Sequence, residues 1–443
     1  MRKQRLYGIS GKYVVLAAAL SFALTGCGSS GASGTALKND NYEAYKELDA
    51  GNWDKAISLF EAETKGEQPE YMALLGLAKA QIGAGDWESA EDTLKKTTKV
   101  YPEEATAFIY QGETARQLED YDLAAESYYM AVKLDLEETA KDEDHIENVQ
   151  IQDQFVSSLD QAQDLQSGYE YAKELYTKDT SDTKILGGLL WTAAKLDSEE
   201  AKAGVKEAVA GQSQEYVVTT LIQACDELKA GNKEAAEQLL FDPYHAEDWE
   251  EAADLRFGYP TGTNGEMMAV GGQKVFGKDG VMFGTYVNGS WNGECEAGYG
   301  RISDTTRKQK DVEYKGKRYY AYRFSGNFTE GIPEGTIIYR EDHHSEYEGQ
   351  DFDGRFYIDE GNITFTDGKA QGRSEIMAYS VQDNGERKLN DITVHEFKDG
   401  EPQPFSADTG DGTKMVYEFT YEKGGSWINY EEQACSHSYI WKK

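Results

Sequence analysis

Few residues in this chain have types and spacing suited to chemistry. Gly272-Gln273-Lys274-Val275-Phe276-Gly277-Lys278 has the skeleton of a loop whose backbone amides and lysine cradle phosphates. Asp279 stands where such a loop needs Ser or Thr to hold magnesium, and the surrounding residues are strand-like, with no helix to follow. The spacing is therefore read as a coincidence. His343-His344-Ser345-Glu346 offers imidazole and carboxylate donors, but adjacent side chains on a strand point to opposite faces. It lacks the usual zinc-ligand spacings, so a polar loop is expected there, and no metal. Asp408-Thr409-Gly410-Asp411-Gly412-Thr413 hints at a calcium loop but lacks the alternating oxygen ligands and the closing Glu; a turn is expected. No Gly-x-Ser-x-Gly elbow, no Ser-x-x-Lys pair with its partners and no His-Glu-x-x-His helix is present. Nothing singles out one carboxylate pair among the 80 acids, which mostly form a solvated face. An enzyme would have to bring groups together around His343, His395 or His437, and spacing alone does not show that. The expected class is non-enzymatic, with no cofactor.

The four cysteines are Cys27, Cys225, Cys295 and Cys435, with no Cys-x-x-Cys pair among them. Cys27 is set apart by its neighbours, which leaves an odd number. Cys295 and Cys435 share the C-terminal region and could pair there, whereas Cys225 lies in a helical stretch. The expectation for all three is a small buried residue.

The bulk charge narrows the partners. The 443 residues suffice for two or three domains. Against 45 Lys+Arg stand 80 Asp+Glu, a formal charge of -35. Four of the basic groups, Arg2, Lys3, Arg5 and Lys12, lie in the first 26 residues, so their removal takes -35 to -39. Such a chain repels phosphate backbones and anionic head groups. Nucleic acid is excluded as a partner, and membrane contact would require a lipid tether.

Residues 1–26 have the parts of an export signal: a basic start, an apolar run from Val14 to Leu24 too short to span a bilayer, and Leu24-Thr25-Gly26-Cys27. These last four resemble the lipobox of bacterial lipoproteins. The resemblance implies that Cys27 is acylated, becomes the new N-terminus, and holds the mature chain on the outer face of the cell membrane. Residues 27–40, rich in Gly, Ser and Ala, read as a flexible tether.

From 41 to 257 the chain repeats itself. Gly51-Asn52-Trp53-Asp54-Lys55-Ala56 recurs as Gly85-Asp86-Trp87-Glu88-Ser89-Ala90 and as Glu119-Asp120-Tyr121-Asp122-Leu123-Ala124, with Trp53, Trp87 and Tyr121 spaced by 34, as are Ala56, Ala90 and Ala124. Phe60 and Tyr128 supply a large residue to the second helix, and Phe108 with Gly112 a large-then-small pair to the first. This period and pattern resemble the tetratricopeptide repeat (TPR), a helical hairpin. Beyond Leu136 an acidic stretch from Glu137 to Glu147 interrupts. Weaker echoes follow at Tyr169/Ala172/Tyr176, around Leu189-Leu190-Trp191, and at Gly231-Asn232-Lys233/Ala236/Leu240. One solenoid of five or six repeats is expected. The resemblance implies a groove for peptides or partner domains, while the named residues serve packing.

From 258 to 443 helical periodicity gives way to short alternating runs rich in Gly, Tyr, Phe and Trp. Tyr286-Val287-Asn288-Gly289-Ser290-Trp291-Asn292-Gly293 leads to Gly298-Tyr299-Gly300. A second copy runs from Tyr322 through Phe328 to Gly331, then Pro333-Glu334-Gly335, and a looser third spans Tyr347 to Gly354. These are similar to the MORN repeat, a two-stranded hairpin, although spacing is irregular and Ile302–Arg318 reads as an interrupting insertion. Residues 375–443 are expected to add strands to the same sheet. The fold class is thus an α-solenoid followed by an antiparallel β-hairpin array. The expected function is a membrane-anchored scaffold that binds protein partners of the cell envelope. The alternative is binding of cell-wall polymer through exposed rings, with Trp291 or Trp427 on a shallow groove as its sign.

Overall fold

The structure, a computed structural model, describes residues 39–429 apart from 67–68, 140–148, 251, 253–254, 263–264, 310–311, 348–355, 383, 404, 409–413, 418 and 423–425. The export signal, the lipobox Leu24-Thr25-Gly26-Cys27, the tether up to residue 38, and Cys435 and His437 lie outside the described residues. So do most of the acidic stretch 137–147, the third aromatic copy beyond Tyr347, the interior of the 408–413 motif and the side chain of Trp427.

The described chain forms two compact units, one up to Asp86 and one from Trp87. The first holds α1 (Asn39–Asp49), α2 (Trp53–Glu63) and α3 (Tyr71–Ala84), with α2 packed on both neighbours. Its core is Ala44, Ala56, Phe60, Leu77 and Ala80. Two glycines let the helices approach. A Cβ on Gly76 would lie 2.4 Å from the Phe60 ring, and one on Gly83 2.6 Å from the Trp53 ring.

The second unit continues with α4 (Trp87–Val100), α5 (Ala105–Gln117), α6 (Tyr121–Thr139), α7 (Val149–Gln161), α8 (Leu165–Lys178), α9 (Thr183–Leu196), α10 (Glu199–Val209), α11 (Glu215–Lys229) and α12 (Lys233–Leu240). Hydrogen-bonding side chains open several of these helices: Asp164 accepts from the Ser167 amide, Asp182 from those of Lys184 and Ile185, and Ser198 from that of Ala201. Small residues again set the spacing between helices. A Cβ on Gly112 would come 2.8 Å from the fully buried Tyr128 ring. At the repeat turns Gly51, Gly85 and Gly231 take left-handed φ of 73°, 77° and 81°, and Glu119 takes 60° in the equivalent place.

A short 3-10 helix, Pro243–Trp249, leads to the sheet. Its strands are β1 (Arg256–Pro260), β2 (Met267–Val275), β3 (Lys278–Val287), β4 (Ser290–Gln309), β5 (Val312–Thr329), β6 (Ile332–Pro333), β7 (Gly335–Tyr347), β8 (Tyr357–Thr366), β9 (Lys369–Val381), β10 (Arg387–Lys398) and β11 (Glu401–Gln403). They form one 11-stranded antiparallel meander in chain order, with β6 alone off the main path, on β5. Two-residue turns of type I′ character join five pairs of successive strands. Phe276-Gly277, Asn288-Gly289, Glu330-Gly331, Asp367-Gly368 and Asp399-Gly400 all have both φ positive. The phosphate-loop skeleton at 272–278 is the end of β2 and one of these turns.

Two expectations are corrected. Ile302–Arg318 is no insertion: β4 and β5 pair without a break from Gly293↔Phe328 to Gln309↔Val312, and the segment is the outer part of that hairpin. Its strand character is hidden by polar residues on both faces, which remove the period-two contrast. Of the expected strands over 375–443, those up to β11 join the main sheet, but the described residues of 405–429 do not extend it; β12 (Phe405–Asp408) pairs with β13 (Lys414–Tyr417), and β14 (Phe419–Glu422) with β15 (Ser426–Asn429), as separate ribbons.

One continuous core runs from Phe108 through Phe241, Trp249 and Phe257 to Phe397, so helices and sheet of this unit share an interior. The contact surface on β4 is built from glycine. A Cβ on Gly298 would lie 2.6 Å from the Phe241 ring, and one on Gly300 2.8 Å from Ala246. Around them Arg323 pairs with Glu237 and Asp342, and Lys233 with Glu296.

Candidate functional site

A cleft of about 430 Å³ opens where α7 and α9 meet the first strands. Asp153, Val156 and Asp160 line it from one face of α7, at the three- and four-residue spacings that share a helix face. Lys184, Gly188 and Trp191 do the same from α9, while Arg256 opens β1 and Tyr286 stands near the end of β3. Gly188 brings the two helices together, since a Cβ there would sit 3.2 Å from Val156 and 3.3 Å from Leu159.

The polar groups of the cleft are arranged in pairs. The Trp191 indole N–H donates to Asp160 at 2.9 Å and Lys195 donates to the same oxygen at 2.8 Å. Lys184 pairs with Asp153. The Arg256 guanidinium lies 4.8 Å from the centre of the Tyr286 ring and donates to its hydroxyl. Tyr286 meets Trp191 edge-on at 5.3 Å and Trp291 at 5.1 Å. Burial alone would raise the Asp160 carboxyl, but the Lys195 ammonium, the Trp191 indole and Arg256 together hold it below the ordinary carboxylate range. Burial pushes the Tyr286 hydroxyl up. The lining holds neither His nor Cys; its hydroxyls are those of Ser157, Thr192 and Tyr286. An aromatic wall beside fixed charges suits the binding of a chain segment, with ring contact supplying area, while Asp153 and Asp160 are already paired with Lys184 and Lys195.

The residues singled out from the sequence are distributed as follows. Ala56, Ala90 and Ala124 are fully buried, and Trp53, Trp87 and Tyr121 are half-buried. Trp291 and Phe328 are buried on neighbouring strands, and the Gly331 amide donates to the Trp291 carbonyl at 2.8 Å. Cys225 and Cys295 are buried thiols, each against a backbone carbonyl. Burial pushes the Cys295 thiol up to about 12. His343 and His344 are not in a polar loop. They belong to β7, where both pair with β5 (His343 with Tyr320, His344 with Tyr319) and β8 reaches as far as His343. The two rings take opposite faces: His343 stacks on Tyr357, and His344 on Tyr319 and against Tyr244. His395 is on β10, three strands from β7, or roughly 14 Å across the sheet. His343 and His395 therefore do not converge.

Sequence reasoning placed Trp191 within a helix pair but missed Asp160, Arg256 and Tyr286. Asp160 was legible in part, since it follows Asp153 and Val156 at helical spacing. The strand residues were not, because they reach the cleft only through tertiary packing.

Repeated helical hairpins followed by a meander of antiparallel strands define a helical-repeat protein with a β extension. The tetratricopeptide repeat family matches residues 43–92 and 75–136, and the N-terminal region carries TPR repeats. No curated protein matches the chain. Similar solved structures include the MamA RS-1 ArsTM double mutant, at 16% identity, covering 40% of this chain and 97% of that one with a TM-score of 0.26. The 41-end form of MamA from Desulfovibrio magneticus RS-1 stands at 17% identity, 40% and 96% coverage and a TM-score of 0.25. A further crystal structure of MamA stands at 16%, 46% and 92%, with a TM-score of 0.22. None superposes closely enough to bear on function.

Proposed function

We propose that this chain is a non-enzymatic scaffold that binds a protein partner of the cell envelope and is tethered to the outer face of the cell membrane by an acylated Cys27. TPR repeats over 43–136 carry the first part, since such hairpins ordinarily serve protein recognition. The Trp191 cleft, in the same helical series, supplies a specific contact. A charge of -35 favours a basic partner segment. The lipobox-like Leu24-Thr25-Gly26-Cys27 supports the tether, and the glycine-turned hairpins around Trp291 and Phe328 support a MORN-like reading of the β array.

The cell-wall alternative loses one of its two candidate rings, the Trp427 side chain lying outside the described residues. Trp291 is 3% exposed and packed on Tyr286, so it offers no face to a sugar.

Two outcomes test the proposal. Crosslinking of intact envelopes should retain a discrete protein on the mature chain, and Trp191→Ala should weaken its binding by roughly 30-fold, about 2 kcal/mol, as for a central aromatic anchor. A partner held equally by the variant would place the contact elsewhere, and recovery of wall polymer alone would favour the alternative. Cys27→Ser should move the chain from the membrane to the soluble fraction and abolish labelling by a fatty-acid analogue. Continued membrane retention would remove the lipid tether from the account.

A further inference from the structure

The geometry points to a divalent-cation site on the sheet, formed by Glu341 and His343 of β7 and Asp359 of β8, with zinc as the best-matched ion. One ligand atom from each of the three side chains can be chosen so that all lie within 4.8 Å of one another. Glu341 and His343 are two apart on one strand and so share a face, and Asp359 is the cross-strand partner of Glu341.

Three features go beyond proximity. The Nδ1 of His343 is shut off from solvent and has no hydrogen-bond partner. Glu341 Oε1 lies 3.3 Å from it, out of line for a hydrogen bond. Two donors bound at about 2.0–2.1 Å to a tetrahedral ion stand about 3.3 Å apart, so this spacing is that of an edge of a coordination shell. The wider separations, within 4.8 Å, are left for Asp359 to close by rotation, since Tyr339 holds Glu341. Next, Glu341 and Asp359 stand directly opposite each other on β7 and β8, which brings two carboxylates to one place on the face that carries His343.

Lastly, Glu341 and His343 are held in place. Tyr339 donates to Glu341 Oε2 at 2.6 Å, leaving Oε1 toward His343. The His343 ring stacks on Tyr357 at 5.1 Å and 15°, with Tyr320 at 5.5 Å. Such outer contacts fix ligand orientation. One imidazole and two carboxylates suit a first-row divalent ion better than the all-oxygen sets of calcium and magnesium, and a fourth position would be left for water.

Isothermal titration of the untagged full chain with Zn2+, in millimolar Mg2+ to occupy the exposed acids, tests the site. One equivalent is expected to bind. The affinity should fall at least tenfold in His343→Ala and in the near-isosteric Asp359→Asn, and should be unchanged in His344→Ala on the opposite face. Circular dichroism establishes that each variant is folded, and Asp359→Asn carries the test if His343→Ala is not. A cobalt-substituted sample should show bands of nitrogen and oxygen ligation. Absence of stoichiometric binding, equal affinity in the folded variants, or a sulfur-to-cobalt charge-transfer band that places the ion on cysteine would overturn the inference.

Discussion

Gly298→Val is expected to destabilise the second unit by about 3 kcal/mol or more, read as a fall in the urea midpoint. The new Cβ would stand 2.4 Å from the Tyr322 carbonyl oxygen and 2.6 Å from the Phe241 ring. Neither neighbour can yield cheaply. The carbonyl belongs to the β4–β5 ladder, and Phe241 is 2% exposed beneath the Arg323 guanidinium, which also pairs with Glu237 and Asp342. Displacing the ring opens the seam between the last helix and the sheet. Gly289→Ala is the control. Its φ is 79° and nothing lies within 4 Å of the added carbon, so it should cost only the left-handed strain of about 1 kcal/mol. Equal losses in the two variants would mean that the Tyr322 carbonyl and the Phe241 ring yield to the new side chain, and that Gly298 is not the floor under Phe241.

Alkaline solution should unfold this unit steeply. Tyr128, Tyr299 and Tyr322 are 2%, 7% and 4% exposed. Burial is the main cause that raises each hydroxyl, with Glu113 adding to it at Tyr128 and Glu341 at the other two. The unfolded chain ionises its tyrosines near the ordinary value of about 10, while the folded chain keeps these three neutral. Their contribution is therefore fully present below about pH 10 and is lost as pH rises toward the raised folded values. Each group weakens folding by about 1.4 kcal/mol per pH unit in that window, so the three together should remove about 4 kcal/mol by pH 11. Urea titrations at pH 9, 10 and 11 measure this, and Tyr128→Phe should reduce the slope by about a third. A midpoint independent of pH over this range would show that the hydroxyls reach solvent in the folded state.

The helical half was the more legible. Trp53, Trp87 and Tyr121 at a constant spacing, with alanine three residues on, state a hairpin repeat because helix contacts recur every three or four residues. The echoes at Tyr169, Leu189 and Gly231 likewise mark the helices α8, α9 and α12. In the β half the X-Gly pairs announce turns, since only two-residue loops with positive φ match the twist of the strands they join. The polar hairpin between Ile302 and Arg318 and the strand through His343-His344 escaped notice. Period-two contrast vanishes where both faces of a strand are polar, and pairing then depends on the neighbouring strand.

What the sequence by itself determined is therefore local: the order of helices then strands, the places of the turns, and the small residues where helices pack. Only the tertiary structure decided what those elements bring together. Gly298 and Gly300 read as part of a hairpin motif, yet their use is to admit Phe241 and the 3-10 helix against β4. Asp160 and Tyr286 are 126 positions apart in the chain and meet at one cleft. Glu341 and Asp359 face each other because β7 and β8 pair in one register, and a shift of a single residue would send them to opposite faces. Helical periodicity is written in neighbouring residues, whereas such meetings depend on register and packing summed over the whole unit.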